Sequence, residues 1–459
     1  MFSRRQFLRA GAAFGLGGLG ALAARPADAL EFTPMPGSGD QSGALSDALW
    51  QAAAEGRALW LPPGRYPVGG LSLPERAALV GAPGAVLVAT GPGPVLTGEG
   101  LEGLRLSGLT IEGVGGAGAD RAPDPAHVPE PDPDAPPSPG LLELSGCRDM
   151  EIERCTFAEA PGHAIALWTS GGVIRGNRFR RCRGAALSAL EGTGLTVEAN
   201  DIGDCADLGI YVAREEAGRD ATVIRANRIA GIGWASGGNG QFGNGINLFR
   251  AGAVVVSDNV IDDCAFSAIR LNATRNAIVS GNVCTRSGEV AIFSEFGFSG
   301  SVIADNVIDD AAQGIAITNM DEGGHLATCA GNIVRNIRGR SRTNPDTMPV
   351  GISAEAESAL TGNVVENVPG VGIALGWGPY LRNLAASGNM VRGCGIGIGV
   401  SVVDGTGAAV LTGNVVARPE DGLGIAGMEW ERVVAPDLQE AAGRYPGLVL
   451  SGNRVVAAG

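Results

Sequence analysis

Short runs of alternating apolar and polar residues, broken by glycine and asparagine, recur along most of this chain. Such alternation reads as half-buried strands, and no long stretch of the repeat region carries the 3.6-residue period of a helix. The runs share one phrase built around an asparagine. It reads Gly176-Asn177-Arg178-Phe179, Ala199-Asn200-Asp201-Ile202, Ala226-Asn227-Arg228-Ile229 and Asp258-Asn259-Val260-Ile261. It then continues through Asn282, Asn306, Asn332, Asn363, Asn389, Asn414 and Asn453. The intervals are 23, 27, 32, 23, 24, 26, 31, 26, 25 and 39 residues. A regular return at this period marks a solenoid, in which each unit buries its face only against its neighbours.

Each unit has an apolar residue two places after the Asn (Phe179, Ile202, Ile229, Ile261), then a turn, then a Gly-Ile-like step. Examples are Gly209-Ile210, Gly245-Ile246, Gly314-Ile315 and Gly372-Ile373. Several short strands per unit, stacked unit on unit, predict an all-β fold, a parallel β-helix. The bend between two strands calls for a residue that tolerates the left-handed region, a role expected of the Asn itself. Asparagines stacked about 4.8 Å apart would bond each other's backbone. Cys182, Cys205, Cys264 and Cys394 each lie five residues after a repeat Asn, so they should share one inward column as small hydrophobes. A Cys182–Cys205 bridge between neighbouring coils stays open, whereas eight Cys without a Cys-x-x-Cys pair argue against zinc.

The first residues change the picture of where the protein works. Ser3-Arg4-Arg5-Gln6-Phe7-Leu8-Arg9 precedes an apolar, Gly-rich stretch, and Ala27-Asp28-Ala29 fits a small-residue cleavage site. Residues 1–29 therefore read as a twin-arginine signal peptide, which makes the twin-arginine translocase a partner and predicts a periplasmic or secreted protein. No other segment is long and apolar enough for a membrane span. Residues 30–459 form one elongated domain with 30 basic and 47 acidic residues, a net charge of −17. That balance disfavours nucleic acid and anionic membranes. None of the basic residues is Lys, so chemistry that needs a lysine base is excluded. Residues 113–140, with eight Pro and five acidic residues, read as an extended excursion. Residues 232–243 and 339–349 lengthen their coils and are expected to project as loops. The segment 427–446 interrupts the last interval and holds a short helix over 437–442.

Near the N-terminus, Asp40-Gln41-Ser42-Gly43-Ala44-Leu45-Ser46-Asp47-Ala48-Leu49 starts a helix that ends near Gly56. It is followed by Leu61-Pro62-Pro63-Gly64-Arg65-Tyr66. Together with the repeats, this opening resembles the pectate-lyase superfamily. The resemblance implies a right-handed, single-stranded parallel β-helix, a pectin-lyase-like solenoid with a helix capping its open strand edge. The chain also resembles a group of twin-arginine-exported repeat proteins. The superfamily holds lyases, hydrolases, epimerases and non-catalytic binding proteins, so the fold leaves the reaction open. The polygalacturonase motifs are not present as a set, and the epimerase-type Asp-Pro-His is missing. Asp262-Asp263 and Asp309-Asp310 fall just after repeat asparagines and read as solvated turns.

In related enzymes the strand face of the Gly-Ile step carries the substrate groove. Here the outward residue of that step is Ala166, Ser188, Tyr211, Asn247, Arg270, Phe293, Ala316, Ser353, Ala374, Gly399 and Ala426 in turn. Only the middle coils carry large or functional side chains, and the next outward column, with Phe249, Asn272, Glu295 and Glu355, is also richest there. The expected partner is a polysaccharide, with a uronate-containing glycan favoured. Arg270 would neutralise a carboxylate, Glu295, Asp321, Glu322 or His325 would transfer the proton, and Tyr211 would act as an acid. Asn247, Phe249, Arg250, Asn272, Phe293, Asn319, Glu355 and Trp377 would bind substrate. For hydrolysis, Glu295 would pair with Asp321 or Glu355. No cofactor and no metal are expected, although Asp321 and Glu322 offer oxygens to Ca²⁺. The rival reading is a solenoid that binds an envelope glycan or partner without turning it over.

Overall fold

The computed structural model describes residues 25–34, 39–115, 138–339, 341, 344 and 347–457. The twin-arginine motif and the core of the Pro-rich excursion (116–137) lie outside the described residues. Within them each coil contributes three short strands, and each strand pairs in parallel with its counterpart one coil on. Gly140–Ser145 pairs with His163–Trp168, which pairs with Ala185–Leu190, which pairs with Leu208–Arg219. The same holds for Met150–Glu153, Gly172–Arg175 and Thr196–Glu198, and for Thr156–Ala158, Arg178–Arg180 and Asp201–Gly203. Three parallel sheets wound in this way make the right-handed β-helix expected from the repeat. The exception is the antiparallel pair Leu423–Glu429 with Arg432–Ala435, where segment 427–446 leaves the coil.

The apolar residues two places after each Asn stack into one interior column. Phe179, Ile202, Ile229, Ile261, Cys284 and Ile308 follow one another in register, continue the column from Phe157 on the coil before, and are buried. Phe157 and Phe179 stack with centroids 5.3 Å apart and planes within 8°. The glycines of the Gly-Ile step are required by proximity. A Cβ on Gly314 would sit 2.2 Å from the carbonyl oxygen of Gly351, and one on Gly209 would sit 2.3 Å from that of Gly245. Backbone meets backbone there, so only glycine fits.

The asparagines form a continuous ladder that differs from expectation in one respect. The left-handed residue is the one before each Asn (Ala199, Ala226 and Asp258, with φ of 55–57°), not the Asn. The Asn side chain instead turns inward and ties coils together. Asn259 Oδ1 accepts from both the backbone N–H (3.0 Å) and the side-chain amide (2.9 Å) of Asn227. Its own amide donates to the Ile224 carbonyl (3.1 Å) and to Asn282 Oδ1 (3.0 Å). This pattern runs from Asn177 to Asn453 and satisfies polar groups that no water reaches. All eight cysteines are buried free thiols, Cys182 and Cys205 included. Burial pushes the Cys155, Cys284 and Cys329 thiols up to about 12.

Helix α1 (Ser42–Ala54) covers the first coils with Leu45, Leu49 and Ala52 and leaves Trp50 exposed. At the other end Asp437 caps the short helix Leu438–Ala441, accepting from the Gln439 and Glu440 N–H groups at 3.0 and 3.3 Å. Leu438, the first residue of this helix, is fully buried. No described helix is long and apolar enough to cross a membrane.

The segment 232–243 does not project. It folds back over the strand face, because Asp207 accepts from Ser236 N–H and Oγ–H (both 2.7 Å) and Trp234 packs edge-on against Phe266 at 5.1 Å. The described part of 339–349 also turns inward, with Asn344 donating to Glu289 Oε1 at 3.0 Å.

Candidate functional site

The outward column read from the sequence is one register-matched row, from Ala166 through Tyr211, Asn247, Arg270 and Phe293 to Ala426. Exposure divides it. In the central coils the 233–243 loop roofs the row over. Asn247 is 5% exposed and donates to the Gln241 carbonyl at 3.0 Å. Arg270 is 8% exposed and donates to the Gly240 carbonyl at 3.0 Å. Its guanidinium is also gripped by Glu295, Nε to Oε1 at 2.6 Å and Nη2 to Oε2 at 2.9 Å. Asn272 donates to the same Oε1 at 3.0 Å, and the Phe293 ring lies 5.3 Å below the guanidinium. Glu289 approaches Arg270 at 3.7 Å, and burial raises its pKa.

Arg270 and Glu295, expected to neutralise a carboxylate and to transfer a proton, are thus buried and paired with each other beneath the loop. The remaining candidates fall into separate groups. Phe249 lies under the exposed Arg250 at 4.7 Å. Asp321 and Glu322 stand exposed on a single 3₁₀ turn, and His325 Nδ1 lies 2.8 Å from the Gly323 carbonyl. Asn319 adopts the left-handed conformation and accepts from Phe296 N–H at 3.3 Å. Trp377, half-exposed, meets Trp430 edge-on at 5.5 Å. No group of three His, Cys, Asp or Glu side chains suited to a metal ion exists among the described residues.

Glu355 sits beneath the 3₁₀ turn and accepts the Met320 N–H at 2.8 Å. Burial pushes its pKa up to about 7; the Met320 N–H opposes the rise, and the charge of Asp321 adds to it. The folded protein thus holds a proton that the unfolded chain releases above 4.5. Stability should therefore fall as pH rises from about 4.5 to about 7. Thermal melts across that window should show this slope, and Glu355→Gln should flatten it. An unaltered slope in the variant would assign the effect to other carboxylates.

The open site lies on the preceding coils. A cleft of ≈ 1270 Å³ runs along the strand face and ends against Ala235, Ser236, Gln241 and Phe242 of the folded-back loop. Its floor is the register row Ser72, Thr97, Glu143, Ala166, Ser188 and Tyr211, one residue per coil. Six coils at the strand spacing span about 24 Å. Trp50 and Trp168 face it with 54% and 47% of their surface exposed.

The titratable groups of the cleft are distinct in state. His163 Nδ1 accepts the Ala185 N–H at 2.8 Å, so the ring carries its proton on Nε2. Burial lowers its pKa to about 4, which keeps it neutral and makes it a hydrogen-bond donor rather than a base. Burial raises the pKa of Asp207, with the Ser236 hydrogen bonds opposing the rise, and burial also raises that of Tyr211. Glu143 accepts the Gly140 N–H at 3.0 Å. Of the predicted site residues only Tyr211 lines this cleft. The sequence reading passed over Trp50, Glu75, Glu99, Glu143 and Asp207. The alternation of the early coils marked Glu143 as outward, but no repeat Asn lies before Asn177 to extend the register that far.

Among solved structures, a surface adhesin of Streptococcus pneumoniae aligns at 15% identity over 89% of this chain and 94% of its own, with TM-score 0.48. The A-module of a mannuronan C-5 epimerase from Azotobacter vinelandii aligns at 11% identity over 93% and 94%, with TM-score 0.41. The catalytic unit of an α-1,3-glucanase from Streptomyces thermodiastaticus aligns at 16% over 95% and 70%, with TM-score 0.39. No curated protein matches the chain. The model of the right-handed β-helix region matches residues 140–240 and 222–416. With most of its coils matched in this way, the chain belongs to the right-handed β-helix family.

Proposed function

We propose that this protein binds an extended polysaccharide in the cleft on its N-terminal coils. The observation that carries the reading is the cleft itself, long, open and walled by two exposed tryptophans over a floor of small, hydroxyl and carboxylate side chains. Exposed indole faces stack on the apolar faces of sugar rings, while Ser72, Thr97, Ser188, Tyr211 and the His163 Nε2–H offer partners to hydroxyl groups. A hydrolytic reading draws on Glu99 and Glu143. They lie outward on neighbouring coils, two positions apart along the strand, with Cα atoms about 8 Å apart from the strand rise and spacing.

The test is calorimetric titration with a panel of glycan oligomers, paired with analysis of the products. Trp168→Ala should weaken binding about tenfold, the loss of one aromatic contact of about 1.4 kcal/mol, while the melting temperature stays unchanged. Full affinity in that variant would move the site off the cleft. New reducing ends that disappear in Glu143→Gln would establish the hydrolase, and binding without product would establish the binder.

The same proposal places the mature chain outside the cytoplasm, on the strength of Arg4 and Arg5 before an apolar stretch. Replacing both by Lys should leave the precursor in the cytoplasm in a fractionation assay. Unimpaired export would exclude the twin-arginine route.

A further inference from the structure

On the outer faces of the solenoid, carboxylates are matched to arginines one coil away. Glu153 meets Arg175 at 2.8 Å, Glu198 meets Arg225 at 2.5 Å, Asp309 meets Arg335 at 2.8 Å, and Glu357 meets Arg382 at 2.5 Å. Such ladders neutralise the negative charge of the chain coil by coil. The cleft breaks this rule. Glu75, Glu99, Glu143 and Asp207 all line it, no described lining residue is an arginine, and His163 is neutral. None of the ion pairs formed among the described residues involves any of these four carboxylates.

A concave site lined by one sign of charge concentrates its field and draws in ligands of the opposite sign. A uronate chain would bring its own carboxylates into that field without a cation to receive them. Its desolvation and repulsion would both oppose binding. A glycan bearing protonated amino groups has the complementary charge, and each ammonium can donate three hydrogen bonds to carboxylate oxygens. The tryptophans serve its ring faces equally well.

Resting on the glycan-binding reading above, we infer that the ligand of this cleft is an amino-sugar polymer with free, cationic amino groups, and not a polyuronate. Glu143 on the floor and Glu99, two positions along the neighbouring strand, are the residues that select for it.

The experiment compares three oligomers of equal length at about pH 6, where exposed carboxylates are ionised: glucosamine, N-acetylglucosamine and galacturonate. The glucosamine oligomer should bind at least about tenfold more tightly than its acetylated form, and added salt should shrink that margin. The Glu99→Gln/Glu143→Gln variant should bring the two within about threefold, chiefly by weakening the glucosamine oligomer, and Gln keeps the acceptor that Glu143 offers to Gly140. Galacturonate binding as tightly as glucosamine would overturn the inference, as would a preference unaltered in the double variant. If none of the three oligomers binds, the glycan-binding reading fails with it, a result distinct from binding with the wrong preference.

Discussion

Replacing Asn259 by Ala is expected to destabilise the central coils by about 3–5 kcal/mol. The side chain is fully buried and takes part in four hydrogen bonds. Its removal strands the Asn227 backbone N–H, one amide proton of Asn227 and the Ile224 carbonyl where water cannot replace the lost partner. Each unsatisfied buried group costs about 1–3 kcal/mol. Asn259→Asp should be no milder. It keeps the acceptor but places a carboxylate against the Ile224 carbonyl and Asn282 Oδ1, both of which need a donor. Because a solenoid of this length opens in segments, hydrogen exchange in the flanking strands Val223–Arg225 and Val255–Ser257 is the direct measurement. Protection unchanged from wild type would show that the ladder is ornamental and that apolar stacking alone holds the coils.

Arg270→Ala should be nearly as costly, about 3–5 kcal/mol, because it leaves Glu295 and Glu289 buried without their counter-charge. The consequence reaches the cleft. Arg270 holds the Gly240 carbonyl, and the loop it holds supplies Ala235, Ser236, Gln241 and Phe242 to the cleft wall. Limited proteolysis should therefore cut the variant within 233–243 well before it cuts wild type, together with a lowered melting temperature. Replacing Arg270, Glu289 and Glu295 together by Met, Gln and Leu should recover much of the stability, since the cost lies in the unpaired charge rather than in lost attraction. A variant that melts normally and resists the protease but fails to bind glycan would return Arg270 to the role of ligand contact.

Asn259 and Arg270 mark how much of this fold is local. The spacing of the asparagines fixed the register, and through side-chain alternation the register correctly put Tyr211, Asn247, Arg270 and Phe293 in one outward row. Alternation reports which face of a strand a residue occupies. It carries no information on what lies above that face. Arg270 and Glu295 were legible as neighbours but not as buried, because the loop that covers them is contributed by a segment 30 residues away from Arg270. Asn259 was legible as structural, yet its φ was assigned to the wrong residue. The bend is made by Asp258, which frees the Asn side chain to turn inward.

The sequence by itself determined the coil, its period, the interior columns and the capping helix, because each follows from local periodicity repeated many times over. Only the tertiary structure decided which stretch of the outward face is open. Asp207 and Arg270 fold the 233–243 loop down over the central coils and so leave the cleft on the coils before it. That choice rests on a few hydrogen bonds between residues far apart in the chain, and such contacts leave no periodic trace in the sequence.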